Sequence, residues 1–325
     1  QSGVWSYSFP ASMWISGKYY ELKTKATDKA GNIETTYGVS NFRVVKPAVE
    51  LIVSGVSNPI TAGSYADVTI EAKDDEGNRA LTYEGTVKIV TKDTLGLKGH
   101  PEAEWSESDI DTGGAIPDEY TFTSLDEGIK TLVNVLRFKT ASTGAGTLKF
   151  VLVYDTATTS INGEQKDIVV NPNNPDRLQV VLPGEETKPG TISGKTSSLP
   201  MDQVAGAGFN VVVNICDVYW NVVTNATDTI NITTTDPNDS EPGNVYVTGS
   251  TTTKVTMITA GSRYVEAFSG EGYTDFPQTN PNNRSVNINA DVPTRLLLLL
   301  PGETYDPGTA KGKTCLLYTS PSPRD

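Results

Sequence analysis

The chain has 325 residues, a length that predicts two to three domains of roughly 100–150 residues each. Its net charge of −13 argues against binding to a nucleic-acid backbone, which needs concentrated Lys and Arg. No apolar run in the sequence approaches the length of a membrane-spanning helix, and a single histidine leaves little basis for a multi-histidine metal site.

Short β-strands are predicted along the chain. Apolar and polar residues alternate over 68–73 and 86–90, which predicts strands with one buried face. Glycine-containing turns at 76–78, 83–85 and 126–128 separate such runs. No segment keeps a helical apolar period over three turns. This pattern predicts an all-β chain of antiparallel β-sandwiches.

Linkers containing proline and asparagine divide the chain into modules. The sequence predicts the C-terminal part of a truncated domain at 1–46, complete sandwiches at 47–172 and 173–291, and the first strand of a further repeat at 292–314. Linkers that are short and contain proline restrict the angle between modules. They therefore favour a semi-rigid rod.

The last eleven residues, 315–325, have a separate interpretation. Their sequence CLLYTSPSPRD can be encoded without a mismatch by a string that resembles the transposase adapter of sequencing libraries. We interpret them as a non-native tail. Cys315 then drops out and Cys216 is the one authentic cysteine, so no internal disulfide is expected.

Two internal repeats indicate a tandem array. Residues 177–196 return as residues 295–314, at an offset of 118, with 12 of 20 positions identical. A fainter repeat relates 61–93 to 204–236 without a gap, with 9 of 33 positions identical. Repeats of this spacing are whole domains rather than the units of a solenoid.

One turn motif occurs three times, each time after a strand-like run. It reads ATDKAGN at 26–32, AKDDEGN at 72–78 and ICDVYWN at 215–221. This series resembles the A-x-D-x-x-G-N turn of bacterial immunoglobulin-like repeats, including the invasin/intimin-like type. The resemblance covers 47–172 well and 173–291 moderately, and Trp220 departs from it by standing where glycine is usual.

The resemblance implies tandem immunoglobulin-like antiparallel β-sandwiches, an extracellular or cell-surface location, and a role in adhesion or spacing. A short Asp side chain accepts hydrogen bonds from nearby backbone N–H groups. We therefore expect Asp28, Asp74 and Asp217 to stabilise their turns. The alternative is that they bind calcium between domains.

One acidic cluster is a candidate calcium site. Glu107, Asp109 and Asp111 lie in a long connection between strands, and Ca²⁺ takes six to eight oxygen ligands. An EF-hand loop that starts at Asp109 needs Glu at its twelfth position, where Tyr120 stands. This mismatch favours a solvated acidic loop over a calcium site.

The remaining candidates for chemistry have structural interpretations. His100 is expected in an exposed loop, and Cys216 is expected to be a buried, inert thiol whose neighbour Asp217 raises its pKa. Trp5, Tyr7, Trp14, Tyr19 and Tyr20 are interpreted as sandwich core, with a carbohydrate-binding face as the alternative.

The sequence thus predicts a non-enzymatic structural or adhesive repeat tract of a prokaryotic surface protein, with no catalytic residue and no cofactor other than the calcium candidate. Expected partners are neighbouring repeats and a host, cell-surface or glycan ligand. The alternative is a set of accessory modules of a secreted hydrolase, with one module binding carbohydrate.

Overall fold

The computed structural model describes residues 6–93, 119–142 and 148–314. The chain forms two compact units, the first of Gln1–Phe138 with Ser142–Asn171 and the second of Lys139–Ala141 with Pro172–Asp325. The described residues form β-strands and two single 3₁₀ turns, at Ala11–Met13 and Ser124–Asp126. None of their helices is long and apolar enough to cross a membrane.

The first unit contains a hairpin and a sandwich. Its strands are β1 (Tyr19–Thr24), β2 (Gly38–Arg43), β3 (Glu50–Ser54), β4 (Ile60–Thr61), β5 (Tyr65–Lys73), β6 (Thr86–Asp93), β7 (Glu119–Thr121), β8 (Ile129–Arg137), β9 (Lys149–Asp155), β10 (Asn162–Ile168) and β11 (Val170–Asn171). Strands β1 and β2 pair with each other. The sandwich has one sheet in the order β3-β5-β8 and another in the order β10-β9-β6-β7.

Alternation along β5 builds one side of this sandwich. Ala66, Val68, Ile70 and Ala72 are buried while the residues between them are partly exposed. Side chains on a strand point alternately to opposite faces, so a period of two puts all four on the core face. Strand β3 follows the same pattern and packs against β9 and β10 of the facing sheet.

The second unit repeats this plan. Its strands are β12 (Arg177–Val181), β13 (Gln203–Val204), β14 (Gly208–Cys216), β15 (Thr227–Thr234), β16 (Gly243–Thr248), β17 (Ser250–Thr256), β18 (Gly261–Arg263), β19 (Val265–Phe268), β20 (Val286–Asn289), β21 (Thr304–Tyr305) and β22 (Lys313–Thr314). The main sheets have the orders β12-β14-β17 and β16-β15-β19, and one apolar core lies between them.

The faint sequence repeat corresponds to equal topology. Strand β5 moved by the repeat offset of 143 falls on β14, residue for residue. In both units a two-residue strand also pairs in parallel with a late strand, β4 with β11 and β13 with β20. The other pairings between named strands of the described residues are antiparallel. The prediction of tandem immunoglobulin-like antiparallel β-sandwiches is confirmed, whereas the predicted module boundaries inside each unit stay predictions.

Candidate functional site

The three repeated turns share one set of side-chain hydrogen bonds. In each of them a single carboxylate oxygen, Oδ1 of the Asp, accepts the backbone N–H groups two and four residues further on. The distances are 2.9 and 2.9 Å at Asp28, 3.0 and 2.9 Å at Asp74, and 2.8 and 2.9 Å at Asp217. The prediction that these aspartates stabilise their turns is confirmed.

The backbone of the three turns is also the same. The N–H of each Asp donates to the carbonyl four residues on, at 2.9–3.0 Å, and the N–H of the fourth turn residue donates back to the Asp carbonyl, at 3.0–3.1 Å. That fourth residue has a positive φ, of +88° at Gly31, +76° at Gly77 and +68° at Trp220. Trp220 therefore adopts the turn in place of glycine.

Trp220 offsets the cost of this conformation with contacts that glycine cannot make. A left-handed backbone costs a non-glycine residue roughly 1–2 kcal/mol. The indole is buried, its Nε1 donates to the carbonyl of Ile192 at 3.1 Å, and the Arg177 guanidinium lies 4.9 Å above the ring. Burial of so large a ring exceeds the backbone cost.

The Asp74 turn (residues 74–78) contacts residues outside itself. The Lys46 ammonium lies 2.8 Å from Glu76 and 2.9 Å from Asp75, and hydrogen bonds to these two carboxylates raise the pKa of Lys46 to about 12. Burial raises the pKa of the Asp74 carboxyl, but the N–H groups of Asn78 and Glu76 and the charge of Lys46 lower it further, to below its usual 3.8.

The Asp217 turn (residues 217–221) also holds other parts of its unit. The Asn221 side chain accepts the N–H of Ala141 at 2.7 Å and donates to the carbonyl of Lys139 at 2.8 Å. The second carboxylate oxygen of Asp217 accepts the N–H of Asn173 at 2.8 Å. Asp217 and Asn221 are both buried, so neither side chain can exchange these bonds for water.

The strong repeat, residues 177–196 and 295–314, contains in each copy a hairpin with an ion pair. In the first hairpin (residues 183–196) the Lys195 ammonium lies 2.6 Å from Glu185, whose carboxylate also accepts the N–H of Leu182 at 2.9 Å. Both charged side chains are at most 1% exposed. The Arg284 guanidinium is 3.6 Å from the same carboxylate and adds a second positive charge.

The second hairpin (residues 301–314) has the same internal geometry. Lys313 lies 2.6 Å from Glu303, and Glu303 accepts the N–H of Leu300 at 2.8 Å. The Lys313 and Glu303 side chains, however, are 23% and 15% exposed. This hairpin follows a run of leucines, residues 296–300, that is exposed to solvent, whereas the equivalent run at 178–182 is buried in β12 and just after it.

Sequence reasoning missed the buried ion pair of the first hairpin. Glu185 and Lys195 are both retained in the second copy, as Glu303 and Lys313, and this shared identity was the available signal. A further buried pair joins Tyr83 to Asp155 at 2.5 Å, and burial followed by this carboxylate raises the pKa of Tyr83. No spacing in the sequence predicts that second pair, because its members are 72 residues apart.

The predicted site residues have mixed outcomes. Cys216 is buried, and burial first, then the Asp217 charge, raises its pKa, so the prediction of a buried thiol is confirmed. The calcium candidates Glu107, Asp109 and Asp111 lie outside the described residues, as does His100. Within the described ranges, no three His, Cys, Asp or Glu side chains come together in a way that could hold a metal ion.

Within the described residues, Trp14 meets the rings around it edge to face and forms no flat platform with them. Trp14 and Tyr20 are half-buried and meet edge to face, with ring planes 86° apart. Tyr7 and Tyr19 are 78% and 75% exposed, so their prediction as sandwich core is wrong. Tyr19 and Tyr20 are adjacent in β1 and must point to opposite faces of the strand. Trp5 lies outside the described residues.

No protein-family model matches the sequence, and no curated protein matches it at a significant level. Solved structures with similar chains include FdeC, an Escherichia coli adhesin, at 12% identity and a TM-score of 0.33, covering 84% of this chain and 75% of that one. Invasin, a bacterial integrin-binding protein, follows at 15% identity and a TM-score of 0.25, covering 74% of this chain and 39% of that one.

A Parabacteroides merdae β-glucuronidase is similar at 11% identity and a TM-score of 0.22. The match covers 72% of this chain and 24% of the glucuronidase. At these identities and TM-scores, the fold assignment rests on the strand order and pairing described above. These structures include both adhesins and a glucuronidase, so the similarity does not assign either function to this chain.

Proposed function

We propose that the chain is a non-enzymatic structural and adhesive repeat tract of an extracellular prokaryotic surface protein, in which it acts as a stalk or spacer. The main observation behind this proposal is that both units have the same sandwich plan and the same Asp turn. A spacer gains length by repeating a stable module, whereas an active site needs a unique constellation of residues. The three turns agree in their backbone hydrogen bonds and in the two N–H groups that the Asp accepts, and they differ mainly in what they contact.

The buried carboxylates support the same conclusion. Each of the buried aspartates accepts hydrogen bonds from backbone or hydroxyl groups, namely Asp74, Asp155, Asp217, Asp228 and Asp236. In Asp74 and Asp236 such bonds lower the pKa of the carboxyl. The pKa of Asp236 is accordingly lowered, because the Thr259 hydroxyl and three backbone N–H groups outweigh the effect of burial. A general acid needs a raised pKa instead.

The proposed partners are neighbouring repeats of the same chain and a host, cell-surface or glycan ligand. The net charge of −13 supports a solvated, mutually repelling surface on neighbouring modules. Charged and polar residues at strand edges also discourage pairing between sheets of different molecules.

Single-molecule pulling of the full chain tests the proposal. Two mechanically independent sandwiches are expected to unfold in two steps of similar size. Each step releases about 120 residues, or about 430 Å of chain at roughly 3.6 Å per residue. One cooperative step for the whole chain would contradict a tract of independent modules.

The alternative function is an accessory, carbohydrate-binding module of a secreted hydrolase. Aromatic rings that stack on sugars present a flat face, and the edge-to-face pair of Trp14 and Tyr20 does not supply one. Retention of the full chain on insoluble glycans would support this alternative. Loss of that retention in Tyr19→Ala, the exposed aromatic of β1, would place the binding face on the first module.

A further inference from the structure

We propose that the aspartate turn is the surface that fixes earlier segments of the chain to the sandwich of its own unit. The inference rests on the proposed stalk function and names the partner of one of its surfaces. That partner is a stretch of extended backbone or a lysine, which offers amide groups or an ammonium to the turn.

The Asp217 turn carries the first part of the argument. The Asn221 amide bonds to an N–H and a carbonyl two residues apart, at Ala141 and Lys139, and so occupies one segment as a pairing strand would. The Asn173 N–H, which precedes β12, donates to Asp217. A buried polar group that loses its partner destabilises the folded state, so these bonds hold the segment firmly.

The Asp74 turn provides the second part of the argument. It binds an earlier segment through an ion pair instead of amide hydrogen bonds. Lys46 precedes β3, and its ammonium lies between the carboxylates of Asp75 and Glu76. Two turns with different sequences therefore both hold earlier segments of their own unit.

The Asp28 turn shows that holding a segment is separate from forming the turn. Its side chains are exposed, and within the described residues the Asp28 carboxylate bonds only to its own turn. The turn nevertheless has the same backbone hydrogen bonds as the other two. Contacts with the preceding chain are thus an additional property of the Asp74 and Asp217 turns, and Asn32 supplies a matched control for Asn221.

Hydrogen exchange on the full chain tests the first contact. Asn221→Ala should reduce protection of the Ala141 amide at least tenfold, while the amides of Asn173 and of the buried strand residue Val213 keep theirs. Asn32→Ala, the control, should leave all three unchanged. Unchanged protection of the Ala141 amide in Asn221→Ala would overturn the proposal.

A second variant keeps the proposal testable if Asn221→Ala unfolds its sandwich. Lys46→Gln removes the ammonium from Asp75 and Glu76 and leaves the internal bonds of the turn in place. Spin labels at the exposed positions 37 and 125 of the first unit, in a Cys315→Ser background, then report the distance distribution between them. Broadening by Lys46→Gln is expected, and an unchanged width would overturn the proposal.

These outcomes are distinct from failure of the stalk function itself. The pulling experiment measures how many modules unfold independently, whereas exchange and label distances measure what the turns hold at equilibrium. Two unfolding steps with unchanged exchange in Asn221→Ala would keep the stalk and reject the role of the turns. A single unfolding step would reject the stalk whatever the turns do.

Discussion

The two hairpins have similar sequences but different surroundings. Residues 183–196 and 301–314 have the same ion pair at 2.6 Å, and in both a threonine hydroxyl accepts a glycine N–H at 3.1 Å. The ion pair of the first hairpin is buried, whereas the ion pair of the second hairpin is partly exposed to water. Local sequence therefore sets the shape of the hairpin, and packing sets what each contact is worth.

The largest effect is expected from removing one charge of the ion pair. Glu185→Ala leaves a buried Lys195 without its partner and should destabilise the sandwich by about 3–5 kcal/mol. The matched variant Glu303→Ala breaks a partly exposed pair and should cost at most ~1 kcal/mol. Urea denaturation of both variants, followed at the core amides of the second unit, measures the difference. Equal losses would show that burial does not control the value of the pair.

The next effect concerns a glycine that has the same φ of +68° in both hairpins. A Cβ at Gly194 would lie 2.4 Å from the Trp220 ring, whereas one at Gly312 would meet nothing closer than 3.6 Å. Gly194→Ala should therefore cost about 3 kcal/mol, through backbone conformation and overpacking together. Gly312→Ala should cost only the backbone part, ~1–2 kcal/mol. Amide exchange within each hairpin compares the two, and a larger loss at Gly312 would contradict the packing argument.

A smaller effect should appear on acidification. The pKa of Asp74 is lower in the folded chain than its usual 3.8, so its contribution to stability is complete above that pH and is lost as the pH falls below it. Asp74→Asn should remove this part of the acid sensitivity. Thermal melts between pH 2 and pH 5 test the prediction, and identical pH profiles for the wild type and the variant would contradict it.

The smallest effect is expected from metal removal. The sequence favours a solvated acidic loop over calcium binding by Glu107, Asp109 and Asp111, so EDTA and millimolar Ca²⁺ should leave the melting temperature unchanged. A rise in melting temperature with Ca²⁺ that Asp109→Asn abolishes would support the calcium site instead.

Local patterns in the sequence predicted most of the fold. Alternation at 68–73 and 86–90 falls within β5 and β6, the faint repeat places β5 on β14, and the strong repeat gives two hairpins with the same ion pair. The Asp turns were predictable for the same reason, since their bonds span no more than four residues. Short-range sequence patterns therefore predict the positions of strands and the hydrogen bonds within turns.

The missed features depend on residues that are distant in the chain. Trp220 replaces glycine because Ile192 and Arg177 supply contacts from other segments. Asn221 appeared to be a simple turn residue, and its contact with Ala141 spans 80 positions. Alternation places a side chain on one face of a strand, but it does not show which segment will cover that face, and this is why Tyr19 was misplaced.

The exposed leucine run has a practical consequence for handling the protein. Residues 295–300 form a short, apolar segment with a single charge, and in the equivalent run at 178–182 a sheet covers the side chains. Uncovered segments of this kind favour intermolecular β-aggregation. A shortened chain that ends at residue 291 should therefore stay dispersed at concentrations at which the 325-residue chain precipitates.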